Sequence, residues 1–276
     1  LLKYSENELV DEISQIKHRI FRQVLGDMNV HGVEITSTAD IPGGTGLGSS
    51  STFTVGLLNT LNCYNGKFVS KNKLAALACE VEIEKLGNPI GKQDQYGAAL
   101  GGLNFIKFNQ DGSVSHEPIM MDGKIYKKLQ KNLLMFYTGT TRSANTILAE
   151  QTKNITSEDK AKNLLKMCGL AKDMKTALES NDISSFGKIL DEGWQLKKEL
   201  ASGIANPAID EAYEIAMKNG ALGGKLLGAG GGGFLLFYCE EEKQAQLKKA
   251  IGLKELDFSF ERDGTSVIYI GDKYWN

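Results

Sequence analysis

The sequence predicts an α+β fold in two domains, and three observations carry that prediction. Four glycines fall within six positions, Gly43, Gly44, Gly46 and Gly48, between a short alternating segment and a run of helical spacing. Residues 157–219 place apolar side chains at helical intervals. Eight glycines from Gly220 to Gly233 then feed an apolar strand, Phe234 to Tyr238. At 276 residues the chain suits two modest domains. The change is placed near Lys127, giving domains 1–126 and 127–276.

Composition excludes several classes of protein. Hydrophobic residues at 41% and charged residues at 24% are those of an ordinary globular chain. Lys and Arg number 32 against 34 Asp and Glu, a net charge of −2, so no basic field advertises nucleic acid or an anionic membrane surface. Cys63, Cys79, Cys168 and Cys239 form no C-x-x-C pair or His/Cys cluster and read as small buried hydrophobes in a reducing compartment. With no signal peptide and no run of eighteen apolar residues, a cytoplasmic location is expected. The chain opens at Leu1, without Met and already strand-like, and its N-terminal strands are expected to be missing.

Taken in order, Glu8, Val10, Ile13, Ile16, Ile20, Val24 and Leu25 predict one amphipathic helix, with His18 at the surface or as a cap. Alternation through Val33 and Ile35 predicts a strand that delivers the chain to the first glycine loop. Phe53, Leu57 and Leu61 predict a helix directly after it. Ser70 offers an N-cap for a helix with Leu74, Leu77, Ala78 and Val81 on its apolar stripe, ended by Gly87 and Pro89. Leu103–Phe108 and Leu133–Tyr137 read as strands separated by turns at 109–113 and 122–123. Two long helices follow from 157, and Asn206-Pro207 starts a third. A helix over 244–253 and a last strand, Thr265–Ile270, close the chain.

The chemistry concentrates in Asp40-Ile-Pro-Gly-Gly-Thr-Gly-Leu-Gly-Ser-Ser-Ser51. Glycines let backbone take positive φ and approach a ligand, and a following helix N-terminus offers unpaired N–H groups and the positive end of its dipole. Ser49, Ser50 and Ser51 add hydroxyls that can reach phosphate or a metal. The loop lacks the Gly-Lys-Ser/Thr of a Walker A sequence and only approximates the Rossmann fingerprint. A phosphate cradle is preferred over a plain linker. Downstream, Glu82 and Glu84 flank opposite margins of their helix stripe, and periodicity does not choose between them. Asp94, between Gln93 and Gln95, reads by itself as a turn or cap residue. Arg142, after a strand end, could grip a phosphate with its fork or lie on the surface. The dense glycines at 228–233 imply backbone against ligand or backbone against backbone.

Pro42 through Ser51 resembles the ATP-phosphate motif of the GHMP small-molecule kinases, the group of galactokinase, homoserine kinase and mevalonate kinase. Glu82-Ile-Glu-Lys-Leu-Gly-Asn-Pro-Ile-Gly-Lys-Gln-Asp-Gln95 and Lys225-Leu-Leu-Gly-Ala-Gly-Gly-Gly-Gly233 resemble two further motifs of that group, in the same order. Gly91-Lys-Gln-Asp-Gln-Tyr96 and Tyr137-Thr-Gly-Thr-Thr-Arg-Ser-Ala144 most resemble bacterial D-glycero-D-manno-heptose 7-phosphate kinases. The resemblance implies a ribosomal protein S5 domain 2-like N-terminal domain that binds ATP phosphates and a ferredoxin-like α+β C-terminal domain. It implies ATP and Mg²⁺ as cofactors, with Pro42, Gly43, Gly44, Thr45, Gly46, Leu47, Gly48, Ser49, Ser50, Ser51, Gly230 and Gly231 around the nucleotide. It selects Glu82, with Ser50, for the metal, and Asp94 to face the acceptor hydroxyl. Gly139, Thr141, Arg142, Lys225 and Gly232 are assigned to a sugar phosphate, the anomeric hydroxyl of a heptose 7-phosphate being the acceptor and fucose or galactose the runners-up. No nucleic acid or membrane partner is implied, and a homodimer is compatible. The rival is a nucleotide-binding sensor that keeps the fold without catalysis.

Overall fold

A computed structural model describes residues 1–140, 144–154 and 157–271. They fall into two compact units, one of residues 1–42, 48–102 and those from 261 on, the other of 43–47 and 103–260. The chain thus passes into the second unit after Gly102, upstream of the expected change near Lys127. The reason is local. The Ile119 N–H donates to the Leu103 carbonyl at 2.9 Å, and both side chains pack against the cluster of Leu129 and Tyr238, deep in the second unit.

The first unit begins with β1 (Leu2–Lys3) and β2 (Asn7–Glu8), then α1 (Arg19–Met28) and β3 (Ile35–Thr36). Strand order is β2-β1-β3, with β1 antiparallel to β2 and parallel to β3. The single helix expected from Glu8 to Leu25 is only its second half. Buried Glu8 accepts from the backbone N–H groups of Lys17 (2.6 Å) and His18 (3.1 Å), which bends the chain, and His18 Nδ1 caps the new helix by accepting from the Phe21 N–H at 3.3 Å. Helix α2 (Ser49–Tyr64) follows the glycine loop and buries Val55, Leu57, Leu58 and Leu61. Next come α3 (Lys71–Cys79), capped by Ser70, and one π-helical stretch, Glu80–Lys85. Asp94 lies in the first turn of α4 (Gln93–Leu100) rather than in a turn. The expected last strand, Thr265–Ile270, forms no ladder among the described residues. Its backbone crosses unit one with Gly264 tight against Gly101, and the Asn59 amide donates to Thr265 Oγ1 at 3.1 Å.

The second unit opens with a hairpin, β4 (Asn104–Phe108) and β5 (Val114–Pro118), then α5 (Gly123–Lys131) and β6 (Leu133–Tyr137). Helix α6 (Ala144–Asn154), not among those expected, comes next, and the three expected helices follow as α7 (Glu158–Glu179), α8 (Ser184–Lys198) and α9 (Pro207–Lys218), the last with Asn206 as N-cap and proline in its first turn. The strands β7 (Ala221–Leu226) and β8 (Phe234–Cys239), α10 (Glu241–Ile251) and β9 (Lys254–Glu255) complete an antiparallel sheet ordered β7-β8-β6-β9. Phe136, Leu226, Leu235 and Phe237 join Trp194, Ile204 and Leu247 in one core. Tyr238 and Leu133 meet Leu129, Leu178 and Ile183 in another. Period-two alternation along each buried strand supplies both.

Candidate active site

The first glycine loop is divided between the units at Leu47–Gly48. In the second unit, Thr45 is buried and Gly44 and Gly46 take φ of +77° and +80°, values open to glycine. A Cβ on Gly46 would lie 2.8 Å from the Leu227 carbonyl oxygen, and one on Gly233 would lie 2.3 Å from that of Thr45. Gly43 and Gly44, by contrast, have nothing within 4 Å of the same position. The loop therefore leans on residues 227–233 along one side and is clear of packing at its start.

The glycines at 228–233 make room for backbone. Gly230 abuts Ile204, and the Gly231 N–H donates to the Ile204 carbonyl at 2.9 Å. Gly232 abuts Thr140, and the Gly233 N–H donates to the Thr140 carbonyl at 2.8 Å. Thr138 Oγ1 donates to the Gly233 carbonyl at 3.0 Å. Gly139, exposed and at φ +79°, thus sits in the loop that leaves β6 beside the glycines. Lys225 stands mid-strand on β7 opposite Leu236, and burial pushes its ammonium pKa down. Thr141 and Arg142 lie outside the described residues.

In the first unit, Gly48 is the N-cap of α2 at φ +69°. The N–H groups of Ser49, Ser50 and Ser51 begin that helix and have no partner within it. Pro42 is exposed at the end of the preceding segment, and Leu47 is half-buried. Ser50 Oγ donates to Glu82 Oε1 in a short hydrogen bond. Glu82 has no solvent exposure, and Gln95 Nε2 donates to its Oε2 at 2.8 Å. Asp94 reaches the same helix end, because a Cβ added to Gly48 would lie 3.4 Å from its Cγ. Ser50, Glu82 and Asp94, far apart in the sequence, come together at the N-terminus of α2.

Gln95 is the member that motif reading passed over. It is fully buried, and its Oε1 has no hydrogen-bond partner among the described residues. A signal was available, since Gln95 adjoins Asp94 and lies two residues past the start of α4, but residue type alone did not separate it from Gln93.

The donor set fits Mg²⁺. The two side chains that donate to the buried Glu82 carboxylate, a hydroxyl and an amide, are neutral, and buried carboxylates are ordinarily matched by cations or metals. One carboxylate and one hydroxyl suit an ion that completes its octahedron with water and ligand phosphates. No group of three or more His, Cys, Asp or Glu side chains able to hold a metal exists among the described residues.

A glycine-capped helix end, with a hydroxyl, a buried carboxylate and a second carboxylate around it, is an arrangement of the kind that phosphoryl transfer uses. Residues 11–102 match the GHMP kinases N terminal domain and residues 174–255 the GHMP kinases C terminal domain. The chain is 34% identical over 232 residues to a D-glycero-alpha-D-manno-heptose 7-phosphate kinase of Campylobacter jejuni, covering 82% of this chain and 68% of that one. It is 32% identical to an L-fucokinase/L-fucose-1-P guanylyltransferase of Bacteroides fragilis, covering 84% of this chain and 25% of the relative. A solved D-glycero-D-manno-heptose 1-phosphate kinase from Bacteroides thetaiotaomicron superposes with a TM-score of 0.66 at 29% identity, over 95% of this chain and 76% of that one. The chain belongs to the GHMP kinase family, with the two-domain α+β fold of that family, and is a sugar kinase, a phosphotransferase. Among the described residues no helix is long and apolar enough to cross a membrane.

Proposed function

We propose that the chain transfers the γ-phosphoryl group of ATP to the anomeric hydroxyl of D-glycero-D-manno-heptose 7-phosphate, giving the 1,7-bisphosphate. The observation that carries this reading is the meeting of Ser50, Glu82 and Asp94 at the glycine-capped end of α2. Amides of Gly43 through Ser51 cradle the triphosphate at the positive end of the helix. Ser50 and Glu82 hold Mg²⁺, which, when bound, offsets phosphate charge. Asp94 receives the proton of the acceptor hydroxyl, or orients it, from its place beside Gly48. Gly139, Thr141, Arg142, Lys225 and Gly232 are assigned to the sugar phosphate, and Gly230 and Gly231 to the nucleotide.

Two relatives named for heptose phosphates support the acceptor class. The fucokinase likeness supports a second reading, with an unphosphorylated deoxy sugar as acceptor. A coupled ADP-release assay over a panel of heptose phosphates, fucose and galactose decides between them. Turnover confined to the heptose 7-phosphate is expected. Turnover of fucose or galactose alone would overturn the heptose assignment, and binding of Mg-ATP without turnover of any sugar would support a sensor.

A further inference from the structure

Helix α4 sends neighbouring side chains of its first turn to two places at the end of α2. Asp94 lies against Gly48, and Gln95 reaches Glu82 in the π-helical stretch that follows α3. That arrangement tells the two oxygens of the buried Glu82 carboxylate apart. Oε1 accepts from Ser50 Oγ, and Oε2 accepts from Gln95 Nε2 at 2.8 Å. A carboxylate offers only acceptors, so the amide presents its nitrogen there and turns its oxygen elsewhere. That oxygen is buried and has no hydrogen-bond partner among the described residues. Packing alone does not call for an amide at this position, because a methionine or leucine fills similar space without an orphaned acceptor. What the amide adds is its hold on one oxygen of Glu82.

We infer that Gln95 is a positioning residue that sets which divalent ion the site takes: by occupying Glu82 Oε2 it leaves Oε1, on the Ser50 side, as a one-oxygen ligand. The inference deepens the kinase reading and rests on it for the nucleotide that accompanies the ion. Mg²⁺ takes single oxygens in a small octahedron and keeps several waters, whereas Ca²⁺ is larger, gathers more oxygens and accepts both oxygens of one carboxylate. A Glu82 whose second oxygen is engaged suits the first ion and handicaps the second. Released from Gln95, the same carboxylate can turn both oxygens to an ion. Hydrogen bonds of this kind orient a metal ligand without touching the metal.

The test measures binding of the non-hydrolysable ATP analogue AMP-PCP by titration calorimetry in excess Mg²⁺, in excess Ca²⁺ and in EDTA, for the wild type, Gln95→Met and Gln95→Asn. The asparagine amide is one methylene short of Glu82 Oε2 and keeps a polar side chain in place, so it decides the matter where the methionine variant folds poorly. The expected result in both variants is a fall of about tenfold in the affinity that Mg²⁺ confers, with that conferred by Ca²⁺ held within about twofold. The preference for Mg²⁺ thus shrinks by about tenfold. Equal losses with both ions would overturn the inference in favour of a packing role. So would an unchanged preference, or a wild type that shows no preference to lose. A preference that shrinks in a protein without sugar turnover in the ADP-release assay would uphold Gln95 while counting against the kinase reading. An unchanged preference in a protein that phosphorylates a sugar would overturn the role of Gln95 and leave that reading in place.

Discussion

The two glycine-rich segments have similar sequences and do opposite things with their missing side chains. At Gly43 and Gly44 the space a Cβ would fill is clear, whereas at Gly228, Gly230, Gly232 and Gly233 it is occupied by the main chain of Gly46, Ile204, Thr140 and Thr45. The start of the first segment leaves that space open, whereas the second segment uses glycine to let backbone meet backbone. Glycine density alone therefore does not mark a ligand site; the neighbours of each missing Cβ do.

The largest expected effect lies at the end of the open loop. Asp94→Asn should lower turnover by about 10³-fold while ATP affinity holds, since it removes a proton acceptor and no phosphate contact. Steady-state kinetics beside nucleotide titration measure this, and wild-type turnover would strike Asp94 from the mechanism. Next comes the packed loop. Gly233→Ala sets a Cβ 2.3 Å from the Thr45 carbonyl oxygen at φ +107° and should cost about 2–4 kcal/mol in chemical unfolding. Gly43→Ala, with nothing nearby, should stay within about 0.5 kcal/mol of wild type. If the two alanines destabilise alike, the contrast between the loops is broken.

Gln95→Leu sharpens the comparison from the other side. Loss of its hydrogen bond to Glu82 should weaken metal binding about tenfold, read directly from Mn²⁺ electron paramagnetic resonance as well as from the Mg²⁺ dependence of turnover. Unaltered Mn²⁺ affinity would limit Gln95 to packing. The smallest effect is expected away from both loops, at His18. Burial lowers its pKa from the ordinary 6.5, although Glu8 and Glu6 pull it up, so the folded state resists a proton that the unfolded chain accepts. Its contribution is complete above pH 6.5 and declines as pH falls toward the folded-state value. His18→Asn keeps a capping side chain without the titration, and its unfolding free energy should vary less between about pH 7 and 5 than the wild type's, values at which imidazoles as a class titrate.

Much of this was legible in sequence. Ser70 caps the helix it was expected to cap, Pro207 opens the helix expected to start there, and β6 and β8 lie where unbroken apolar runs placed them. The misses have identifiable causes. Residues 8–16 carry α-helical spacing but form only a short 3-10 turn at Ile13–Gln15, and the Glu8 carboxylate takes up the N–H groups of Lys17 and His18. Thr265–Ile270 alternates like a strand yet forms no ladder among the described residues, and sequence does not reveal a missing neighbour. Gln95 could not be told from Gln93 by type, because what sets it apart is its hydrogen bond to Glu82, thirteen residues earlier.

Glu82 illustrates the limit best, and the cause is the π-helical turn that contains it. Projection at 100° per residue assumes an unbroken α-helix, and residues 80–85 depart from that winding. A π turn accommodates one more residue than the α-helix it interrupts. Losing a single residue between Cys79 and Glu82 would remove the residue that the turn accommodates, so the α-helix could run through with the side chains beyond the turn kept near their present directions, while Glu82, inside the turn, would shift from its place against Ser50 with no change in its chemical identity. The place of Glu82 against Ser50 is in this sense written in the count of residues as much as in their kinds.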